Sequence, residues 1–140
     1  MDNKFNINRI LVGGIAAGFV MLIVDMLSHG LFLKENYAFF AEKGILRSTP
    51  LISGLLLHNI SIIVGGMSLS ILYALVRKHA TPGCKTAFKL GLLVGFICFP
   101  ASFAMYAFHQ VGATIPLTSA ATSLVECTLG TIVAGSLYKD

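Results

Sequence analysis

Four long apolar runs alternate with short polar breaks along the chain. The runs cover about Ile10–Leu33, Leu51–Val76, Ala87–Phe108 and Leu117–Leu137. Between them lie Lys34-Glu35-Asn36, Ser48-Thr49-Pro50, Thr81-Pro82-Gly83 and the stretch from Gly112 to Pro116, each a cluster of residues that ends regular structure. Every run exceeds the length of about 18 residues that marks a membrane span. Hydrocarbon offers no partner to a backbone N–H or C=O, so each run is predicted to be a helix. The expected fold is all-α, a four-helix transmembrane bundle forming a single domain over residues 1–140. Pro100 falls inside the third run, where it removes one backbone donor.

Composition agrees and removes other classes. Hydrophobic residues make up 56% of the 140 positions and charged residues only 11%. A soluble domain carries about 25% charged residues, so a disordered chain and an ordinary soluble enzyme are both excluded. The net charge is +4, but the ten Lys and Arg form no basic patch with interleaved aromatics, so nucleic acid is not an expected partner. The expected partner is the lipid bilayer. Four helices enclose little volume, so a homo-oligomer or a larger membrane complex is also expected. The first run follows Lys4 and Arg9 as a signal peptide would. It is too long for a signal core and no A-x-A-like site follows it, so it is taken as a helix that stays.

The charges set an orientation. Lys4, Arg9, Arg77, Lys78, Lys85, Lys89 and Lys139 fall on the side shared by the termini and the second loop, against Lys34, Lys43 and Arg47 on the other. The positive-inside rule then predicts both termini in the cytoplasm. The first loop, from Lys34 to Pro50, faces outward and carries Tyr37, Phe39, Phe40, Ile45 and Leu46 among its charges. A short interfacial helix is predicted there.

Residues three or four apart share a helix face, and each run shows one small or polar stripe. The first has Gly14, Gly18, Met21, Asp25, Ser28 or His29, and Phe32; the second has Gly54, His58, Ser61, Gly65 and Ser68. The third has Gly91, Gly95, Cys98, Ser102 and Met105; the fourth has Ser119, Ser123, Glu126, Gly130 and Ala134. Small residues let helix backbones approach closely, which assigns Gly14, Gly18, Gly65, Gly91, Gly95 and Gly130 to helix packing.

Packing does not explain Asp25, His58 or Glu126. A charged residue at mid-span costs about 2.5–3.5 kcal/mol on insertion scales, so such residues face the bundle interior and pair or function there. At 1.5 Å per residue, Asp25, His58 and Glu126 lie about 12, 10 and 13 Å inside the outer ends of their spans, and Cys98 about 15 Å. His29 stands one turn outward from Asp25. Asp25, His29, His58, Glu126 and Cys98 therefore form a predicted layer in the outer half of the membrane, suited to a proton or a metal ion.

Several chemistries could use that layer. A divalent metal could take Asp25 and His29 at i and i+4 with His58 and Glu126, the set softened by Cys98, Cys127 or nearby Met. Protons could be held by the same Asp, Glu and His groups in transport or sensing. A b-type haem could take His29 and His58 as axial ligands. A structural knot would instead pair Asp25 with His58 or His29 and bond Glu126 to Ser61 or Asn59. Three cysteines without CxxC spacing make no disulfide framework. No Ser–His–Asp arrangement, Gly-rich phosphate loop or cofactor fingerprint appears, so an enzyme is the less favoured reading.

Three segments carry a resemblance: Gly18 to Phe32, a Gly/Ala-rich span ending in a polar and aromatic cluster; Thr86-Ala87-Phe88-Lys89-Leu90-Gly91-Leu92-Leu93-Val94-Gly95; and Leu124-Val125-Glu126 with Leu129-Gly130-Thr131-Ile132-Val133-Ala134-Gly135. In these the chain resembles uncharacterised bacterial four-helix inner-membrane proteins of the domain-of-unknown-function type. The resemblance implies a multi-pass location in the bacterial inner membrane and supplies no activity.

Overall fold

A computed structural model describes residues 5–138, apart from the side chain of Met105. Lys4 and Lys139, used above for orientation, and the Met105 side chain lie outside the described residues. The described chain is helical in five segments: α1, Ile7–Leu27; α2, Lys34–Glu42; α3, Ile52–Val76; α4, Cys84–Phe108; and α5, Thr114–Leu137. One π-helical turn, Ser28–Phe32, joins α1 to α2. Counting that turn with α1, four of these helices are long and apolar enough to cross a membrane.

Local chemistry sets the helix ends. Asn6 caps α1 by accepting a hydrogen bond from the Arg9 N–H at 3.1 Å. α2 is the short helix that the first-loop aromatics predict. It stops at Gly44, whose φ of 69° suits a residue without Cβ. There the Gly44 N–H donates to Ala41 O and the Ile45 N–H to Phe40 O, closing the helix end with a Schellman pair. α4 starts after Gly83, at φ 137°, whose N–H donates to the Tyr73 hydroxyl at 3.0 Å. The helices overrun the apolar runs at Ile7, Cys84 and Thr114 because polar flanking residues continue the hydrogen-bond ladder beyond the hydrophobic stretch.

α5 sits at the centre and packs against α1, α3 and α4, while α1 also packs along α3. α3 and α4 barely touch, so the bundle is open between them. Close helix crossings occur at glycines. A Cβ at Gly14 would stand 2.8 Å from Met67 Cα, and one at Gly18 2.9 Å from Ile63 Cα. On α4, a Cβ at Gly91 would lie 2.6 Å from Thr128 Cα, and one at Gly95 2.8 Å from Leu124 Cα. Gly130 faces the Met21 thioether, 2.9 Å from where its Cβ would be.

The second span departs from its expected face. Gly65, assigned above to close packing, would place a Cβ at an ordinary 3.6 Å from the Met21 methyl. The tight crossing is at Gly66, where a Cβ would lie 2.6 Å from Gly18 Cα. The buried face of α3 is accordingly Gly66, Leu69, Ser70, Tyr73 and Ala74, turned by one residue from the predicted stripe. Two adjacent glycines leave a one-residue choice of phase that only the approach of α1 resolves. Phe32, at the end of the first stripe, is 71% exposed, because the π turn adds a residue and shifts the helix phase.

Hydroxyls on the buried face of α5 are satisfied within the helix. Thr122, Ser123, Thr128 and Thr131 each donate to the carbonyl four residues back, at 2.6–3.0 Å. At one end of the bundle the Asn6 N–H donates to the Tyr138 hydroxyl at 3.2 Å, Arg77 donates to Tyr138 O, and Lys78 lies over the Phe5 ring. The described ends of the chain and the α3–α4 loop therefore share one side, as four crossings require. At the opposite end α2 folds over the bundle, burying Leu33 and Phe40 against Val111 and Ile115.

Candidate functional site

Asp25 is buried near the C-terminal end of α1, and two imidazoles share its carboxylate. His29 Nε2 lies 3.2 Å from Asp25 Oδ1. His58 Nε2, reaching across from α3, lies 3.0 Å from Asp25 Oδ2. The i and i+4 spacing on α1 makes the first contact local; the second joins residues 33 positions apart and ties the N-terminal part of α3 to α1. The two rings meet edge to face with centroids 6.2 Å apart.

His29 is held on its other side as well. Its Nδ1 lies 2.7 Å from the Tyr37 hydroxyl, and the two rings stack with an interplanar angle of 4°. Tyr37 belongs to α2, outside the spans. Burial, reinforced by the negative charge of Asp25, pushes its phenol above the usual range, so it remains an O–H group near neutral pH. The aromatic pattern of the first loop predicts Tyr37 in an interfacial segment but carries no signal of this contact with His29. The π turn is what brings it here: the Leu33 N–H bonds to Ser28 O, five residues back, and the extra residue rotates α2 so that Tyr37 stands over His29. Ser28 and Thr122, hydrogen-bonded to each other through their hydroxyls, fasten that turn to α5. π turns concentrate at functional sites, but nothing in a stretch such as Ser28-His29-Gly30-Leu31-Phe32 announces one in advance.

Glu126 on α5 is 9% exposed and near enough to Asp25 and His29 for their charges to act on one another. Its Oε1 is buried with no hydrogen-bond partner. Ser61, a partner expected for it in a structural knot, instead donates to Leu57 O at 2.8 Å. Asp25, His29 and His58 are thus joined by direct contacts, and Glu126 lines one groove with His58 without bonding to the three. Cys98 does not join the Asp25 carboxylate: it is exposed on α4 and lines the gap between α3 and α4 with His58, Glu126 and Cys127.

The geometry bears on each chemistry. Asp25 stands between the two imidazole Nε2 atoms, the space an iron–porphyrin plane would need. Among the described residues no group of three or more His, Cys, Asp or Glu side chains is arranged to hold a metal ion. The contacts do form one continuous chain, from Tyr37 through His29 and Asp25 to His58. With both imidazoles neutral, each Nε2–H donates to one Asp25 oxygen, and His29 Nδ1 accepts from the Tyr37 O–H. A proton added to His29 sits on Nδ1, and the Tyr37 oxygen turns from donor to acceptor. Carboxylate plus two neutral rings carries net charge −1. One added proton brings the cluster to zero, the state that a low-dielectric surround accommodates at least cost.

No family model, no curated protein and no solved structure matches this chain.

Proposed function

We propose that this chain is a small multi-pass protein of the bacterial inner membrane that binds a proton at Asp25, His29 and His58 in the outer half of the bilayer, in transport or sensing. The observation that carries the reading is the carboxylate of Asp25 shared by two imidazoles, one of which is joined to Tyr37 on the short helix α2. Ionisable residues inside spans are costly and mark proton relays when they pair in a chain. Tyr37, on α2 outside the spans, supplies one end of that chain. Glu126 adds a second carboxyl group within electrostatic range.

The test is the pH titration of the His29 ring by NMR, with the protein in lipid nanodiscs. Because Asp25 and Tyr37 both bond that ring, Asp25→Asn is expected to shift its midpoint and to remove any pH-dependent activity. A His29 midpoint that is the same with and without Asp25 overturns the reading.

A second reading, a non-catalytic subunit of a larger membrane complex, is favoured by one observation. α4 has only 12% of its apolar window buried, the smallest share of the four spans. On that reading, replacing Asp25, His58 and Glu126 together by apolar residues keeps function and preserves assembly with the partner.

A further inference from the structure

The gap between α3 and α4 is a groove of about 360 Å³. One wall is α3, with His58, Ser61 and Gly65; the other is α4, with Val94 and Cys98; Glu126 lies on the floor contributed by α5. That volume is within the range of about 300–1,000 Å³ typical of small-molecule sites. Its mouth lies along the gap between two spans, so it opens to the side of the bundle.

Two features select an occupant. The walls are mainly apolar and contain no Lys or Arg, so they suit an apolar body. Glu126 is the one carboxyl group among the lining residues, is nine-tenths buried, and has an oxygen that accepts no hydrogen bond. An acceptor buried without a partner is unfavourable, and more so in low dielectric. An ammonium group answers both needs, supplying N–H donors and the opposite charge.

We propose that this groove binds a lipophilic amine, its ammonium group on the Glu126 carboxylate and its apolar body between α3 and α4. The site rests on Glu126 and the groove, and goes beyond the proton reading at Asp25, which can fail without it. An acyl chain would fill the walls but leave the Glu126 oxygen unpartnered. A neutral alcohol could bond that oxygen but would bring no charge.

The probe is 4-phenylbutylamine, added as its ammonium form to the full chain in phosphatidylcholine nanodiscs and followed by calorimetry. The neutral comparison is 4-phenylbutanol. Saturable binding of the amine is expected, at least about tenfold tighter than the alcohol. Glu126→Gln is expected to lose about tenfold or more in amine affinity with helical content unchanged. Gly65→Leu, which has room to fold its side chain over the groove, is expected to weaken the amine by obstruction while leaving Glu126 in place. Equal affinity for amine and alcohol means a slot for lipid chains and overturns the proposal. So does unchanged amine binding by Glu126→Gln. If that variant does not fold, the amine-to-alcohol ratio and Gly65→Leu decide: a ratio near one, or amine binding indifferent to Gly65→Leu, rejects the site.

Discussion

The two halves of α3 are held by different forces. From Ile63 to Ala74 the helix lies against α1 with backbones almost touching, at Gly66 over Gly14 and Gly18, and Ser70 donates to Ile10 O at 2.9 Å. From Leu51 to His58 every residue is exposed, and the interhelical polar contact there is His58 with Asp25. One half is fixed by shape, the other by a shared charge. The groove to α4 runs along both halves, from His58 to Leu72.

The comparison can be broken most completely by orientation. Lys and Arg number seven on the side of the termini and three on the other, so a reporter fused after Tyr138 is expected to be active in the cytoplasm. Activity on the outer side would move the charged end of α3 to the cytoplasmic half.

Packing effects come next. Gly66→Leu drives a side chain into the backbone of α1, where a Cβ already lies 2.6 Å from Gly18 Cα. It is expected to cost about 3 kcal/mol or to block assembly, read as a fall in thermal midpoint. Gly65→Ala, one residue away with its Cβ at 3.6 Å from the nearest atom, is expected to stay within about 0.5 kcal/mol. Equal effects would show that the buried phase of α3 is misassigned.

Asp25→Ala tests the half held by His58. Interhelical polar contacts in membranes are worth about 0.6–1.7 kcal/mol, so the stability change is expected to be about 1 kcal/mol. The local effect is larger: a spin label at Leu55 is expected to gain mobility, while one at Ile71 does not. Uniform mobility changes along α3 would mean that the two halves are not independent.

The smallest effect belongs to Tyr37. Its phenol ionises above the usual range because burial and the Asp25 charge oppose the phenolate. The stability that this neutral phenol lends is intact below pH about 10 and falls as pH rises through the raised value. Tyr37→Phe is expected to remove that alkaline step from the phenolate absorbance while leaving assembly unchanged.

Hydrophobic run length alone dictated four spanning helices, because lipid forces any apolar segment to satisfy its own backbone. The short helix α2 was legible from the aromatics between Lys34 and Leu46. Helical periodicity and the cost of buried charge pointed to the contacts among Asp25, His29 and His58. These are local or solvent-driven constraints, and a sequence carries them in full. Tertiary structure decided the rest. Gly65 and Gly66 are equally small, and only the contact with α1 selects Gly66. Tyr37 reaches His29 only because a π turn, fastened through Ser28 to Thr122, rotates α2. Cys98 shares the groove with His58 and Glu126 but makes no bond to Asp25, because α4 packs along α5 and barely touches α3. Each of these depends on a neighbouring helix arriving at a particular angle, which is a property of the assembled bundle and has no signature in a single stretch of chain.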